Sequence, residues 1–287
     1  MNSNFLLLIT AAAVWGSSFI AIAALLQQGV PPLAIAGGRT LIGALSFLVL
    51  ALTMMRPLPR DPRDWGRGLL IGLFNIALPF ALISLAQREL SAANAAILIS
   101  TVPFFTLVLN PIFGDRADGL RSIQLPGLAL GFVGVVLVLW PDLSAGQPLL
   151  PALLVMASAG CYAISGILTK KLGALGPVGG NAAIFASTAI WFVPFTAAQT
   201  PAFFSVLAQP WIWYLGVLPT CLMMYLRFVL LQRTSPAYVS QVSYLIPCFT
   251  IFWQWLILSS VPALISGIGF ALVLLSVFWV DYFAKSH

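Results

Sequence analysis

Charged side chains are what this chain has least of. Only 7% of its 287 residues are Asp, Glu, Lys or Arg, against roughly a quarter in a soluble domain. That is too little polar surface to face water on every side. The seven acids, Asp61, Asp64, Glu89, Asp115, Asp118, Asp142 and Asp281, fall in loops or at the ends of apolar runs. None is expected at the centre of a membrane, where proton relays usually place a carboxylate. The single histidine is His287, at the end of the sequence. With no His/Glu cluster, no pair of membrane aspartates and no Ser/His dyad, the sequence offers neither a metal centre nor hydrolytic machinery. No enzyme activity, cofactor or metal is therefore expected, and without an ATP-binding loop any driving force must come from gradients. Cysteine is equally sparse: Cys161, Cys221 and Cys248 all lie inside apolar runs, which reads as free packed thiols and not a disulfide.

What the chain has in abundance is apolar length, with 61% hydrophobic residues. Crossing the hydrocarbon takes about 20 apolar residues per helix. Ten runs qualify, at roughly 5–26, 33–55, 68–86, 92–113, 123–140, 149–169, 178–199, 211–231, 237–258 and 263–283. They show no period-two alternation, so helices, which satisfy their own backbone in lipid, are expected in place of a barrel. The fold class expected is an all-α polytopic membrane protein with ten transmembrane helices.

Basic residues orient it. With a cytoplasmic N-terminus, the cytoplasmic segments hold Arg56, Arg60, Arg63, Arg67, Arg116, Arg121, Lys170, Lys171, Arg233 and Lys285, the opposite side holds Arg88, and Arg39 and Arg227 fall within spans. This bias obeys the positive-inside rule and places both termini in the cytoplasm. It also accounts for the net charge of +6 without any basic stripe for nucleic acid. The opening Met1-Asn2-Ser3-Asn4 lacks a basic n-region, so a cleaved leader is not expected.

The sequence repeats itself. Ser91-Ala92-Ala93 and Pro103-Phe104-Phe105-Thr106 return 144 residues later as Ser235-Pro236-Ala237 and Pro247-Cys248-Phe249-Thr250, and Gln87-Arg88 returns 145 residues later as Gln232-Arg233. The chain thus divides into two five-helix repeats, 1–140 and 149–287, joined by residues 141–148. Five is odd, so the second repeat starts from the opposite face and is inverted. Repeats of this kind are the mark of transporters, with the substrate site between the halves.

Polar groups inside the spans are few enough to consider singly. Ser158, Tyr162, Ser165 and Thr169 share one face of span six, and Trp15 with Ser18 repeats that spacing in span one. Tyr238, Gln241, Tyr244 and Cys248 share a face of span nine, matched in span four by Asn94, Ile97, Ser100 and Phe104. These four faces are expected to wall a central cavity lined by Trp15, Ser18, Asn75, Asn94, Ser100, Tyr162, Ser165, Tyr238, Gln241 and Tyr244. The plainer reading of each serine is helix-to-helix glue, whereas Asn75, Asn94 and Gln241 are costlier to bury unpartnered. Trp65, Trp140, Trp211, Trp213 and Trp279 sit near span ends as interfacial anchors. Arg39 either snorkels to the interface or stands as an intramembrane cation that binds a carboxylate or clamps the halves. Pro103 and Pro247 are read as mid-helix kinks, and their equivalent positions make them candidate hinges. Gly127, Gly131 and Gly267 are read as sites of close helix packing.

With these features the chain resembles the drug/metabolite transporter superfamily, in its ten-helix EamA-type branch. The matching residues are Trp15-Gly16, Arg39, the Ser91-x-Ala93 to Pro103 stretch with its copy Ser235-x-Ala237 to Pro247, and the Gly-rich spans five and ten. Within it, the chain looks most like YddG-type aromatic amino-acid exporters. It departs from the pattern after span nine, where Leu258-Ser259-Ser260 has no counterpart to the acid that Asp115 supplies after span four. The resemblance implies a bacterial-type inner-membrane exporter of amino acids, aromatic ones included, or related small metabolites, working by alternating access. The lipid bilayer and the small-molecule substrate are its expected partners. An exporter of toxic lipophilic compounds is one alternative, and a non-transporting membrane scaffold or sensor is another.

Overall fold

The computed structural model describes residues 3–113, 125–146, 148–172, 175–194, 200–233 and 242–285, and every regular element among them is helical. Helix α1 (Ser3–Gln27) ends where Gly29 takes a left-handed φ of 78°, a conformation open to glycine at no cost. Pro31 and Pro32 follow, and α2 (Pro32–Thr53) starts with proline at its first position, where a missing N–H matters least. Helix α3 (Pro62–Gly72) begins earlier than the apolar run alone suggests, because the Asp61 side chain accepts from Arg63 N at 2.8 Å and caps it.

The third span does not stay regular. It widens into a π-turn over Leu73–Ala77 before continuing as α4 (Leu78–Ala86). Pro79 explains the position: it has no N–H and its ring crowds the carbonyl four residues back, which belongs to Asn75 inside the π-turn. The corresponding span of the second half does the same, running through α11 (Pro210–Leu215), a π-turn Gly216–Leu222 that contains Pro219, and α12 (Met223–Arg233).

Span four is broken. Helix α5 (Ala92–Ile99) stops at Ser100 and Thr101, and α6 (Val102–Phe113) restarts. The Ser100 and Thr101 hydroxyls donate to Ile97 O and Leu98 O, each at 2.6 Å, and so satisfy the last carbonyls of α5. Pro103 therefore lies in the first turn of α6 and not in mid-helix as expected. Its missing N–H falls where no helical partner is due, and the residue before a proline disfavours the helical conformation. Pro247 does sit inside a continuous helix, α13 (Val242–Leu258). The remaining elements are α7 (Leu125–Ser144), α8 (Leu150–Leu172), α9 (Gly179–Ala189) with a 3₁₀ extension Ile190–Phe192, α10 (Thr200–Leu207) and α14 (Leu264–Lys285). Helix α10 is an addition, a short element where the sequence reading has only a connection.

The two halves pack with a pseudo-two-fold relation. Helix α1 packs on α13 and α8 packs on α6, so the first span of each half lies against the fourth span of the other. Helix α2 packs on α9, and α7 packs on α14. Glycine lets these pairs close. A Cβ on Gly134 would come within 2.7 Å of Gly269 O, and one on Gly269 within 2.6 Å of Gly134 O. The contact is reciprocal, as an axis between like helices requires. Ser266 Oγ donates to Val138 O at 3.0 Å, and Ser276 Oγ donates to Gly127 O. Gly267, expected in this contact, faces open space instead, and Gly269 occupies the contact. Gly16 has the same function at α13: its Cβ would meet Ile246 O, Phe249 Cβ and Thr250 N, all at 3.0 Å.

This packing generates a stability prediction. Backbone atoms cannot step aside for a new side chain, so Gly16→Leu and Gly134→Leu should each destabilise by about 1–3 kcal/mol or more. Gly267→Leu should be close to neutral. Thermal unfolding in detergent reads the difference, and equal losses in all three variants would contradict the assigned contacts.

Candidate functional site

The glycine face of α2 decides what its arginine can reach. Gly43 lies so close to the second π-turn that a Cβ there would fall 2.8 Å from Thr220 Cγ2, and a Cβ on Gly216 would fall 2.5 Å from Ile42. This approach brings Thr220 Oγ1 to 2.8 Å from Arg39 Nε, which donates to it. The Arg39 Cζ lies over the Phe80 ring of α4, 3.9 Å from its centroid. Arg39 is only 7% exposed, so it turns inward instead of snorkelling. It also lies within Coulombic range of the Tyr162 and Tyr214 hydroxyls.

The same π-turn receives a second bond. Trp15 Nε1 donates to Pro219 O at 2.8 Å, and Ser17 Oγ shares a hydrogen bond with Tyr214 OH. A π-turn leaves carbonyls without their usual partner four residues on, which is why such turns gather side-chain contacts. Trp15 from α1, Arg39 from α2, Phe80 from α4, Tyr162 from α8, and Tyr214 and Thr220 from the eighth span thus gather around one region where the halves meet. Below it, α1 is fastened to α13: Thr250 Oγ1 donates to Gly16 O at 3.1 Å and Trp253 Nε1 to Ala13 O at 3.0 Å.

The guanidinium carries five donors, and among the described residues its one hydrogen bond goes to Thr220. Among those residues the ion pair within 4.0 Å is Arg67–Asp64, at the surface. No carboxylate described in the structure neutralises Arg39. A buried cation with spare planar donors is suited to a carboxylate, which it can grip through two parallel bonds.

The other expected residues divide. Ser18 Oγ donates to Trp15 O and Ser100 Oγ to Ile97 O, both at 2.6 Å and both within their own helices. Ser165 is buried on α8 beside half-buried Tyr162. Asn75 is half-buried in the first π-turn. Asn94 is buried in the first turn of α5, its N–H donating to Ser91 Oγ at 3.1 Å. Tyr238 and Gln241 lie outside the described residues, as do the side chains of Tyr244 and Pro103. Pro247 is buried. Thr220, Pro219, Phe80 and Tyr214 escaped the sequence reading. One signal for Thr220 was present: the 145-residue offset of Gln87-Arg88 places it opposite Asn75.

A cavity of about 960 Å³ opens at the end of the molecule formed by the C-terminal ends of α1, α4 and α13, and none of the expected site residues lines it. Gln254 lies at its floor, where Oε1 accepts from Ala93 N at 2.8 Å.

Comparison with known proteins places this arrangement. The EamA-like transporter family matches residues 2–140 and again 149–281. An Escherichia coli K12 protein named as the uncharacterized inner membrane transporter YedA is 25% identical over 244 residues, 82% of this chain and 76% of its own length. In Bacillus subtilis, the uncharacterized transporter YdfC is 26% identical over 271 residues, 89% of this chain and 83% of its own. Another there, YvbV, is 31% identical over 170 residues, 58% of this chain and 54% of its own. One solved crystal structure superimposes with a TM-score of 0.66 over 99% of this chain and 98% of that one, at 18% identity, a likeness of fold.

Accessibility separates cavity wall from packing. In a background lacking Cys161, Cys221 and Cys248, cysteine at Tyr162 or Trp15 should react with a polar thiol reagent. Cysteine at Ser18 or Ser100 should be protected, because these side chains turn back on their own helices. The reverse pattern would place the water-filled space elsewhere.

Proposed function

The chain belongs to the EamA-like transporter family in both of its halves, a polytopic membrane transporter, and from that premise we propose that it exports amino acids and related small metabolites by alternating access. The range is broad and includes aromatic amino acids. The observation that carries this reading is Arg39, a buried guanidinium held by Thr220 and Phe80 with no acid among the described residues to neutralise it. The substrate carboxylate is the missing counter-charge. Trp15, Phe80 and Tyr162 offer apolar and aromatic surface beside it, and the faces carrying Asn94, Tyr238, Gln241 and Tyr244 extend the wall. A fixed positive charge at the same place disfavours lipophilic cations.

Alternation is supported by the exchange of contacts between the halves, 1–140 and 149–287 in our division. Pro247 within α13 and Pro103 at the break between α5 and α6 are the hinge positions we assign. The protein sits in the inner, or plasma, membrane with both termini cytoplasmic, on the strength of the basic loops Arg56–Arg67, Lys170 and Lys171.

Counterflow in proteoliposomes tests this. A labelled aromatic amino acid should exchange with unlabelled amino acid, and its carboxamide should exchange at least tenfold more slowly, because the guanidinium loses its charged partner. Exchange should need no imposed pH difference, since no acid is expected at the membrane centre. Equal exchange of acid and amide, or a strict requirement for a proton gradient abolished by neutralising one acid, would contradict the reading.

A further inference from the structure

Arg39 is held by two contacts, and together they leave it one way to present its donors. A guanidinium has five N–H donors in one plane, one on Nε and two on each Nη. The single Nε hydrogen goes to Thr220 Oγ1 at 2.8 Å. Phe80 occupies one side of the guanidinium, with Cζ over the ring and 3.9 Å from its centroid. Nη1 and Nη2 make no hydrogen bond among the described residues, yet neither is one of the sealed, unpartnered polar atoms there. Both therefore still reach open space. Thr220 is only 1% exposed, and its methyl group lies where a Cβ on Gly43 would come within 2.8 Å. A β-branched side chain so packed has little choice of rotamer, so Oγ1 is aimed at Nε. The neighbouring carbonyl, Pro219 O, is anchored by Trp15 Nε1 at 2.8 Å.

We propose that Thr220 is a positioning residue for the substrate: by taking the Nε hydrogen it turns the guanidinium so that the terminal pair, Nη1 and Nη2, meets a carboxylate end-on. A carboxylate can grip arginine through two parallel bonds, either at the terminal pair or along Nε and one Nη. The bond to Thr220 closes the second mode, because Nε has no other hydrogen to give. The donors lie in the guanidinium plane and Phe80 lies beside that plane, so the carboxylate enters edge-on to the guanidinium. Thr220 does not touch the substrate and acts through Arg39. The proposal rests on the amino-acid reading above and adds to it the residue that sets how the carboxylate is gripped.

The test is a double-mutant cycle on equilibrium binding of phenylalanine to the full chain in nanodiscs, with Thr220→Val, Thr220→Ser, Arg39→Met and the double variant Thr220→Val with Arg39→Met. Valine keeps the methyl packing against Gly43 and loses the hydroxyl, so its effect is not a loss of shape. Thr220→Val should weaken binding about tenfold, the size expected of a hydrogen bond to a charged group. Thr220→Ser, which retains the hydroxyl, should stay close to the wild type. In the Arg39→Met background Thr220→Val should cost nothing further, because no guanidinium is left to position. A loss that persists there would mean that Thr220 shapes the fold or touches the ligand itself, and would overturn the proposal, as would wild-type affinity in Thr220→Val. If the wild type binds no phenylalanine, the amino-acid reading fails, and 3-phenylpropionate, a carboxylate without the amino group, takes its place in the same cycle. The same coupling with that acid supports the positioning role, and no binding of it overturns the end-on grip as well.

Discussion

A guanidinium cannot shed its proton inside a protein, so burying Arg39 obliges the surrounding helices to answer its charge. An arginine at the centre of a spanning helix costs about 3 kcal/mol on insertion scales. A desolvated cation–π contact such as that with Phe80 contributes about 2 kcal/mol, and a hydrogen bond between membrane helices such as that to Thr220 about 1 kcal/mol. These roughly offset one another and leave the site near neutrality in energy while still positive in charge. Much of the local architecture follows. The glycines of α2 allow the eighth span to come close, the π-turn around Pro219 presents Thr220, and the carbonyl of Pro219 accepts from Trp15, which ties α1 into the same cluster.

The fold is symmetric but the site is not. The contacts between halves exchange in pairs, and each half carries a π-turn in its third span. Yet the seventh span, 178–199, the counterpart of α2, carries no Arg or Lys to match Arg39. A single cation therefore sits beside a pseudo-two-fold axis. On the alternating access proposed above, symmetric halves would supply two related arrangements, and an asymmetric charge would keep one binding polarity in both. The glycine contacts at Gly16 and at Gly134 with Gly269 hold backbones together where sliding would be blocked by any side chain.

Much of this was legible in the sequence. The apolar runs, the half-length repeat and the isolated Arg39 were visible because hydrophobic length, self-similarity and a lone charge survive without any knowledge of packing. Trp15 was read as part of the cavity wall, and the structure gives it a partner in the other half. What escaped were the places where a helix departs from regularity. A π-turn adds one residue to a turn and leaves composition unchanged, so Thr220 looked like any threonine in an apolar span. The break at Ser100 and Thr101 was hidden by unbroken apolarity, although Pro103 marked it. Gly267 and Gly269 differ by two residues on one helix, and only the crossing of α7 and α14 decides which of them faces the partner. Ser18 and Ser100 shared their stripes with Trp15 and Asn94, but a serine hydroxyl can satisfy itself on its own helix, and spacing does not reveal that choice.

The most direct measurement is equilibrium binding of an aromatic amino acid to the purified protein in nanodiscs, for the wild type, Arg39→Lys and Arg39→Met. If Arg39 awaits a carboxylate, Arg39→Met should weaken binding at least tenfold while the protein stays folded, because the cost of the buried charge and the contacts that offset it are lost together. Arg39→Lys should fall between, retaining the charge but losing the two-pronged grip. Wild-type affinity in Arg39→Met would show that the guanidinium is a structural clamp and would contradict the account.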